Sequence, residues 1–165
     1  MAEKIASLKK KGGGKEYGEN LFSFAILPAA TTGTTWTQYP LVATLHTPDS
    51  TSIIQLDSNF AHFDNDAIVV DKAVPKAYFS GSAYSFRNSG GTSIYSGVRF
   101  KKNGTVISGT EVMGSSGTNP ARFRLVQTSL AVGDVITVEY KFSASANVYA
   151  YTAFINIVSD LSYTI

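Results

Sequence analysis

The 165-residue chain contains no cysteine. Composition alone therefore rules out disulfides and thiolate metal sites, and the fold must close by packing. Charge is also scarce, with Asp, Glu, Lys and Arg at 16% against about 25% in an ordinary soluble domain. A weakly polar surface rich in Ser, Thr, Gly and Tyr can meet a partner without stranding buried ions. Histidine is limited to His46 and His62. There is no Gly-x-Ser-x-Gly elbow, no phosphate loop ending in Lys-Ser/Thr and no His-Glu-x-x-His pair, so the usual sets of nucleophile, base and acid are missing. We expect no enzyme activity, no cofactor and no metal. Apolar runs such as residues 24–30 fall far short of the ~20 residues of a bilayer span, so no membrane insertion is expected. Residues 1–8 carry no apolar core of a signal peptide, and synthesis in a cytoplasm is the expectation.

What charge there is sits unevenly. The first 15 residues carry five Lys against one Glu, residues 16–71 carry seven acids and no Lys or Arg, and residues 72–165 carry nine basic residues and four acids. Such a division suits an electrostatic match between subunits, and equally an uneven solvated surface. No basic stripe with interleaved aromatics occurs, so no nucleic-acid partner is expected. Lys9, Lys10, Lys11 and Lys15 surround a Gly-Gly-Gly run, a flexible, non-periodic composition. Residues 1–20 read as an arm and residues 21–165 as the folded domain.

From Leu21 onward the pattern is β. Residues 21–27 form a strand candidate, 39–45 a short one, and 58–63 and 67–70 a pair separated by the turn cluster Asp64-Asn65-Asp66. Residues 77–87 precede the loop signal Asn88-Ser89-Gly90-Gly91. In 93–102, Val98 and Phe100 alternate with Arg99 and Lys101. Asn103-Gly104 follows, the strongest short hairpin signal because both turn positions need positive φ. Residues 122–129 and 147–158 are further strands. In 135–142, Ile136, Val138, Tyr140 and Phe142 face one way and Val135, Thr137, Glu139 and Lys141 the other. About eight to ten short strands with turn signals between them imply an all-β, antiparallel β-sandwich of jelly-roll type.

The last strand is unusual. Val148, Ala150, Thr152, Phe154, Asn156 and Val158 alternate with Tyr149, Tyr151, Ala153, Ile155 and Ile157, so both faces are largely apolar. One face of a sandwich strand meets the core and the other normally meets water. A strand apolar on both sides needs a second cover: a loop of the same chain, a neighbouring copy, or a central place in a monomer. Large rings with a polar tip, as in Tyr149 and Tyr151, are enriched at interfaces. The run from Ala77 behaves similarly, with Tyr78, Tyr84 and Phe86 on one face and Phe79 on the other.

Residues 76–158 resemble the C-terminal part of the jelly-roll domains of the tumour necrosis factor and complement-globular-head superfamily, including members of phage type. The matching stretches are Gly81-Ser82-Ala83-Tyr84-Ser85-Phe86, Val98-Arg99-Phe100-Lys101-Lys102-Asn103-Gly104, Leu130-Ala131-Val132-Gly133-Asp134-Val135-Ile136-Thr137-Val138, and residues 149–157 with Phe154. The resemblance covers about half the chain; the first 75 residues match poorly, and no Gly-X-Y stalk is present. It implies a homotrimer with the final strand and the Tyr84 strand toward the three-fold axis, and Tyr84, Tyr140, Tyr149, Tyr151 and Phe154 at the subunit interface. It implies a binding role and no enzyme activity; together with the arm, the missing signal peptide and the missing cysteines, this suggests a structural or adhesive component of a virion, such as a phage head fibre, capsid decoration, or tail or collar knob. Residues 1–20, with Lys9, Lys10, Lys11, Lys15 and Tyr17, would attach it to other virion proteins, and a host surface glycan or protein would be its receptor partner.

Two alternatives stand beside this reading. A carbohydrate-binding module would use Trp36 and Tyr39 as ligand contacts, although a tryptophan is as readily a core residue. A tube or connector block would assemble head to tail. His62, at strand spacing from Phe60, reads as a packed or rim histidine, and the Asp64 cluster as a turn and not a calcium loop.

Overall fold

Most of the β-branched and aromatic residues fall in short runs, and the computed structural model of the chain pairs these runs into two antiparallel sheets. The structure describes residues 20–26, 30–31, 34–39, 41, 53–87, 95–114, 121–143 and 147–159. The strands are β1 (Asn20–Ile26), β2 (Ala30–Thr31), β3 (Thr37–Gln38), β4 (Ile53–Leu56), β5 (Ala61–Asp64), β6 (Ala67–Val70), β7 (Val74–Arg87), β8 (Ser96–Lys102), β9 (Thr105–Val106), β10 (Val112–Gly114), β11 (Ala121–Leu130), β12 (Val135–Phe142) and β13 (Asn147–Ser159).

One sheet runs β11-β7-β13-β1-β4, with β2 also on β13; the other runs β10-β8-β12-β6-β5, with β3 on β12 and β9 on β8. From β6 to β7 to β8, and from β10 through β11 and β12 to β13, the chain changes sheet at every step. This wrapping of a folded ribbon around one core is the jelly-roll arrangement. Asn20 pairs with Val158, so the chain enters β1 beside the place where it leaves β13.

The core lies between the sheets. Phe79 of the first sheet meets Phe100 of the second at 4.9 Å between ring centres, edge to face, and Phe100 also meets Phe123 at 6.1 Å. Phe22 and Phe63 make the same contact at 6.4 Å nearer the β4 and β5 edges. Each large apolar side chain withdrawn from water this way contributes about 1.5–3 kcal/mol. The alternation expected in residues 98–101 is present, with Val98 and Phe100 buried and Arg99 and Lys101 not; in 135–142 Ile136, Val138 and Phe142 are buried as expected, but Glu139 of the polar face is buried too and Tyr140 only half-buried.

Two turns anticipated from sequence have the backbone their residues favour. Asn65 and Asp66 sit at φ 45° and 63° in the β5–β6 hairpin, and Asn103 and Gly104 at φ 50° and 77° in the β8–β9 hairpin. Asn, Asp and Gly tolerate this left-handed region with little strain. Two strand expectations need correction. Residues 58–60 form a turn and the strand starts at Ala61, because the Asp57 carboxylate accepts the Asn59 N–H at 2.9 Å and the Asp57 carbonyl accepts the Phe60 and Ala61 N–H groups. The expected strand 39–45 does not begin as one: β3 ends at Gln38, and the Leu41 N–H turns back to the Tyr39 carbonyl at 2.9 Å. Residues 42–45 lie outside the described ones.

Candidate functional site

β13 has thirteen residues without a Lys, Arg, His, Asp or Glu, and neither does its neighbour β7 between Ala77 and Phe86. The two strands pair from Ala77–Ser159 to Arg87–Val148, with one irregularity between Val148 and Ala150. The pleat gives the pair two faces. Phe79 and Ile157 oppose each other and are fully buried in the core. The next pairs, Tyr78 with Val158 and Ser80 with Asn156, are half-buried, as is Ser82. Charge returns on the flanking strand β11, where Arg122 pairs with Ser82 and is exposed. The outer face of this sheet therefore has a neutral centre of small, amide and aromatic side chains.

The structure brings the backbones of most expected interface residues to this pair. Tyr84 pairs with Thr152 and Phe154 with Ser82, in the register of the outer pair Ser80–Asn156; Tyr151 pairs with Ser85, in the register of the core pair Phe79–Ile157, and Tyr149 falls at the irregularity. Only backbone positions are described for these four residues. Tyr140 is elsewhere. It lies on β12 in the opposite sheet, and its ring packs edge to face on Tyr39 at 5.6 Å and on Phe142 at 6.0 Å. A face built on β7 and β13 does not contain it. Lys9, Lys10, Lys11, Lys15 and Tyr17 lie outside the described residues.

The outer face of the second sheet is the opposite in character. Arg99 and Glu139 are direct cross-strand partners on β8 and β12. Glu139 Oε2 accepts from Arg99 Nε at 2.6 Å, Glu139 Oε1 accepts from Lys101 Nζ at 3.1 Å, and Arg99 also donates to Glu111 at 2.9 Å. Glu139 is only 9% exposed. Burial opposes the Arg99 charge, but the hydrogen bonds and charges of Glu111 and Glu139 outweigh it and hold the guanidinium above its ordinary value. This carboxylate, hidden among two cations, was not foreseen. Alternation places it on the polar face, and only the β8–β12 register reveals its partners.

Trp36 closes this face. Arg99 lies over its ring at 4.3 Å from the centroid and Lys141 at 5.1 Å, both within cation–π range. The indole sits over Gly97, where an added Cβ would lie 2.9 Å from Trp36 Cη2. The missing side chain makes the seat for the ring. Trp36 therefore pins the segment before β3 to the sheet, with two cations on its π-surface where a sugar ring would have to stack. Tyr39, the other expected ligand contact, is 5% exposed and belongs to the core.

At the β5 edge, His62 Nδ1 meets the Asp71 carboxylate at 2.8 Å, both side chains being about half exposed (57% and 45%). A pair this solvated contributes little to stability. Among the described residues no group of three or more His, Asp or Glu is placed to hold a metal ion, and no helix is long and apolar enough to cross a membrane.

No family model and no curated protein matches the chain. Similar solved structures include a pika GITRL, at 10% identity and TM-score 0.40 over 84% of this chain and 96% of that one. Murine APRIL at pH 8.5 is another, at 12% identity and TM-score 0.39 over 82% and 98%. The fold assignment rests on the strand order and register above.

Proposed function

We propose that the chain is a non-enzymatic assembly and binding module: a jelly-roll head that associates with copies of itself as a trimer through the outer face of β7 and β13. In this reading it is a structural or adhesive component of a virion, joined to other virion proteins by the residues before β1 and presenting its head to a host surface. The observation that carries it is the absence of charged side chains from β13 and from residues 77–86 of β7. Two adjacent central strands expose a face of Tyr78, Ser80, Ser82, Asn156 and Val158, while the other sheet spends its outer face on ion pairs and an anchored tryptophan. A neutral centre ringed by polar residues is what an interface core needs, since charge is depleted there. The resemblance of residues 76–158 supports the trimer, and the Lys/Gly-rich residues 1–20 with the lack of cysteine support the virion setting.

Light scattering on the full chain tests the assembly, with the mass of three chains expected. Ser80→Glu with Asn156→Glu places carboxylates in the proposed contact, where an unpaired buried charge costs several kcal/mol. This variant is expected to keep the far-ultraviolet dichroism of a β protein and to run as a single chain. A wild type that is monomeric at every concentration overturns the reading, as does a double variant that still forms trimers. Deleting residues 1–19 is expected to leave a trimeric head that no longer joins its particle.

A further inference from the structure

Two turns at one end of the sandwich are tied together through a single amide. Asn103 Nδ2 donates to Asp134 Oδ1 at 2.7 Å, Asn103 Oδ1 accepts the Val135 N–H at 2.8 Å, and the Asn103 N–H donates to the Val135 carbonyl at 2.8 Å. Asp134 also accepts the Ala131 N–H at 2.8 Å and lies 3.6 Å from Lys102 Nζ. The clasp thus joins the β8–β9 hairpin to the β11–β12 turn. Its central amide is followed by Gly104, which is exposed, sits at φ 77° and has open space where a Cβ would be.

We propose that Asn103 is a spontaneous modification site, at which conversion of the amide to a carboxylate opens this clasp. The Gly104 nitrogen gives its proton to solvent base and attacks Asn103 Cγ. The Cγ–Nδ2 bond breaks and ammonia leaves, closing a five-membered imide. Water then adds to either imide carbonyl and breaks one C–N bond, giving aspartate or its chain-shifted isomer. One water is consumed and one ammonia released, with no oxidant or reductant. A side chain at position 104 would crowd the attack; glycine does not.

The fold controls this chemistry at both ends. While the clasp is closed, the leaving nitrogen is bonded to Asp134 and the carbonyl oxygen to Val135, so the amide is not free to swing toward Gly104. Reaction therefore follows local opening of the two turns. The product in turn prevents reclosure. A carboxylate in place of Nδ2 sets two like charges at hydrogen-bond distance, which disfavours both being ionised. The chain-shifted isomer also adds a backbone atom and breaks the register with Val135.

The test is peptide mapping by mass spectrometry of folded protein aged in mildly alkaline buffer. Asp134→Ala is expected to convert at Asn103 about tenfold faster than the wild type, the factor equivalent to loss of roughly 1.4 kcal/mol of charge-assisted hydrogen bonding. In strong urea both are expected to convert at one common rate. Asn103→Asp, made as the product, is expected to melt below the wild type. Equal rates in the folded wild type and Asp134→Ala overturn the proposal, as does an Asn103→Asp protein that melts with the wild type. Should Asp134→Ala not fold, the wild type alone decides: its rate at Asn103 must rise with urea, and a rate indifferent to urea overturns the proposal.

Discussion

Adding one methyl group to Gly97 tests how the second sheet holds its outer cover. The new Cβ would overlap Met113 Sδ and lie 2.9 Å from both Trp36 Cη2 and the Val112 carbonyl oxygen. The thioether is flexible and swings away at little cost. The carbonyl does not, because Val112 is paired with Val98 in the β10–β8 ladder. The indole is held against Arg99 and Lys141 and yields only by leaving its seat. Overpacking of this kind costs about 1–3 kcal/mol. For a domain of this length each kcal/mol moves the melting temperature by roughly 2–4 °C, so Gly97→Ala is expected to melt roughly 2–12 °C lower. Trp36 is the only tryptophan, so its emission reports the seat directly and should shift to the red and become easier to quench. Met113→Ala in the same background removes one of the three clashes and should restore only part of the loss. A Gly97→Ala protein with wild-type melting and emission would refute the account of Trp36 as a pinned side chain.

Three further outcomes follow from the polar groups. Burial works against ionisation of Asp134, but the Ala131 N–H, the Asn103 amide and the Lys102 charge outweigh it and hold the carboxyl below its ordinary value. Its stabilisation is complete above the unfolded value of about 3.9 and is lost as pH falls through the lower folded value; Asp134→Asn should flatten the acid end of a melting-temperature profile, and an unchanged profile counts against the clasp. Thr110 is fully buried, and its hydroxyl accepts the Phe100 N–H at 3.1 Å and donates to the Ile107 carbonyl at 2.8 Å. Thr110→Val strands that N–H and should cost about 1–3 kcal/mol in chemical denaturation. The buried Ser96 hydroxyl has no partner among the described residues, so Ser96→Ala should match or exceed wild-type stability in the same assay.

The parts of the fold legible in the sequence are those where local chemistry and burial agree. Residues 98–101 and 135–142 alternate because one face packs into the core, and Asn103-Gly104 announces its hairpin because few residues accept that backbone. Residues 58–63 misled because Phe60 is as buried as a strand residue, although a carboxylate two residues before Asn59 holds it in a turn. β4 is four residues long, too short to carry a periodic signal, and its pairing with β1 supplies what its length does not. In the candidate site, the two-sided apolar run of residues 147–158 is legible in the sequence, and β13 extends it by Ser159. Tyr140 looked equivalent to Tyr149 and Tyr151 because sheet membership is set by long-range order, which spacing does not encode. The Arg99–Glu139 contact was hidden for the same reason.

The pairing of Asn20 with Val158 has a practical consequence for anyone using this domain as a scaffold. The polypeptide enters β1 and leaves β13 side by side, so a fluorescent reporter or an antigen joined directly before Asn20 or after Ser159 would start from a single pole. The end of β7 at Arg87, beside Val148, is the opposite end of both strands, so the two points of attachment are equivalent in the pole they occupy.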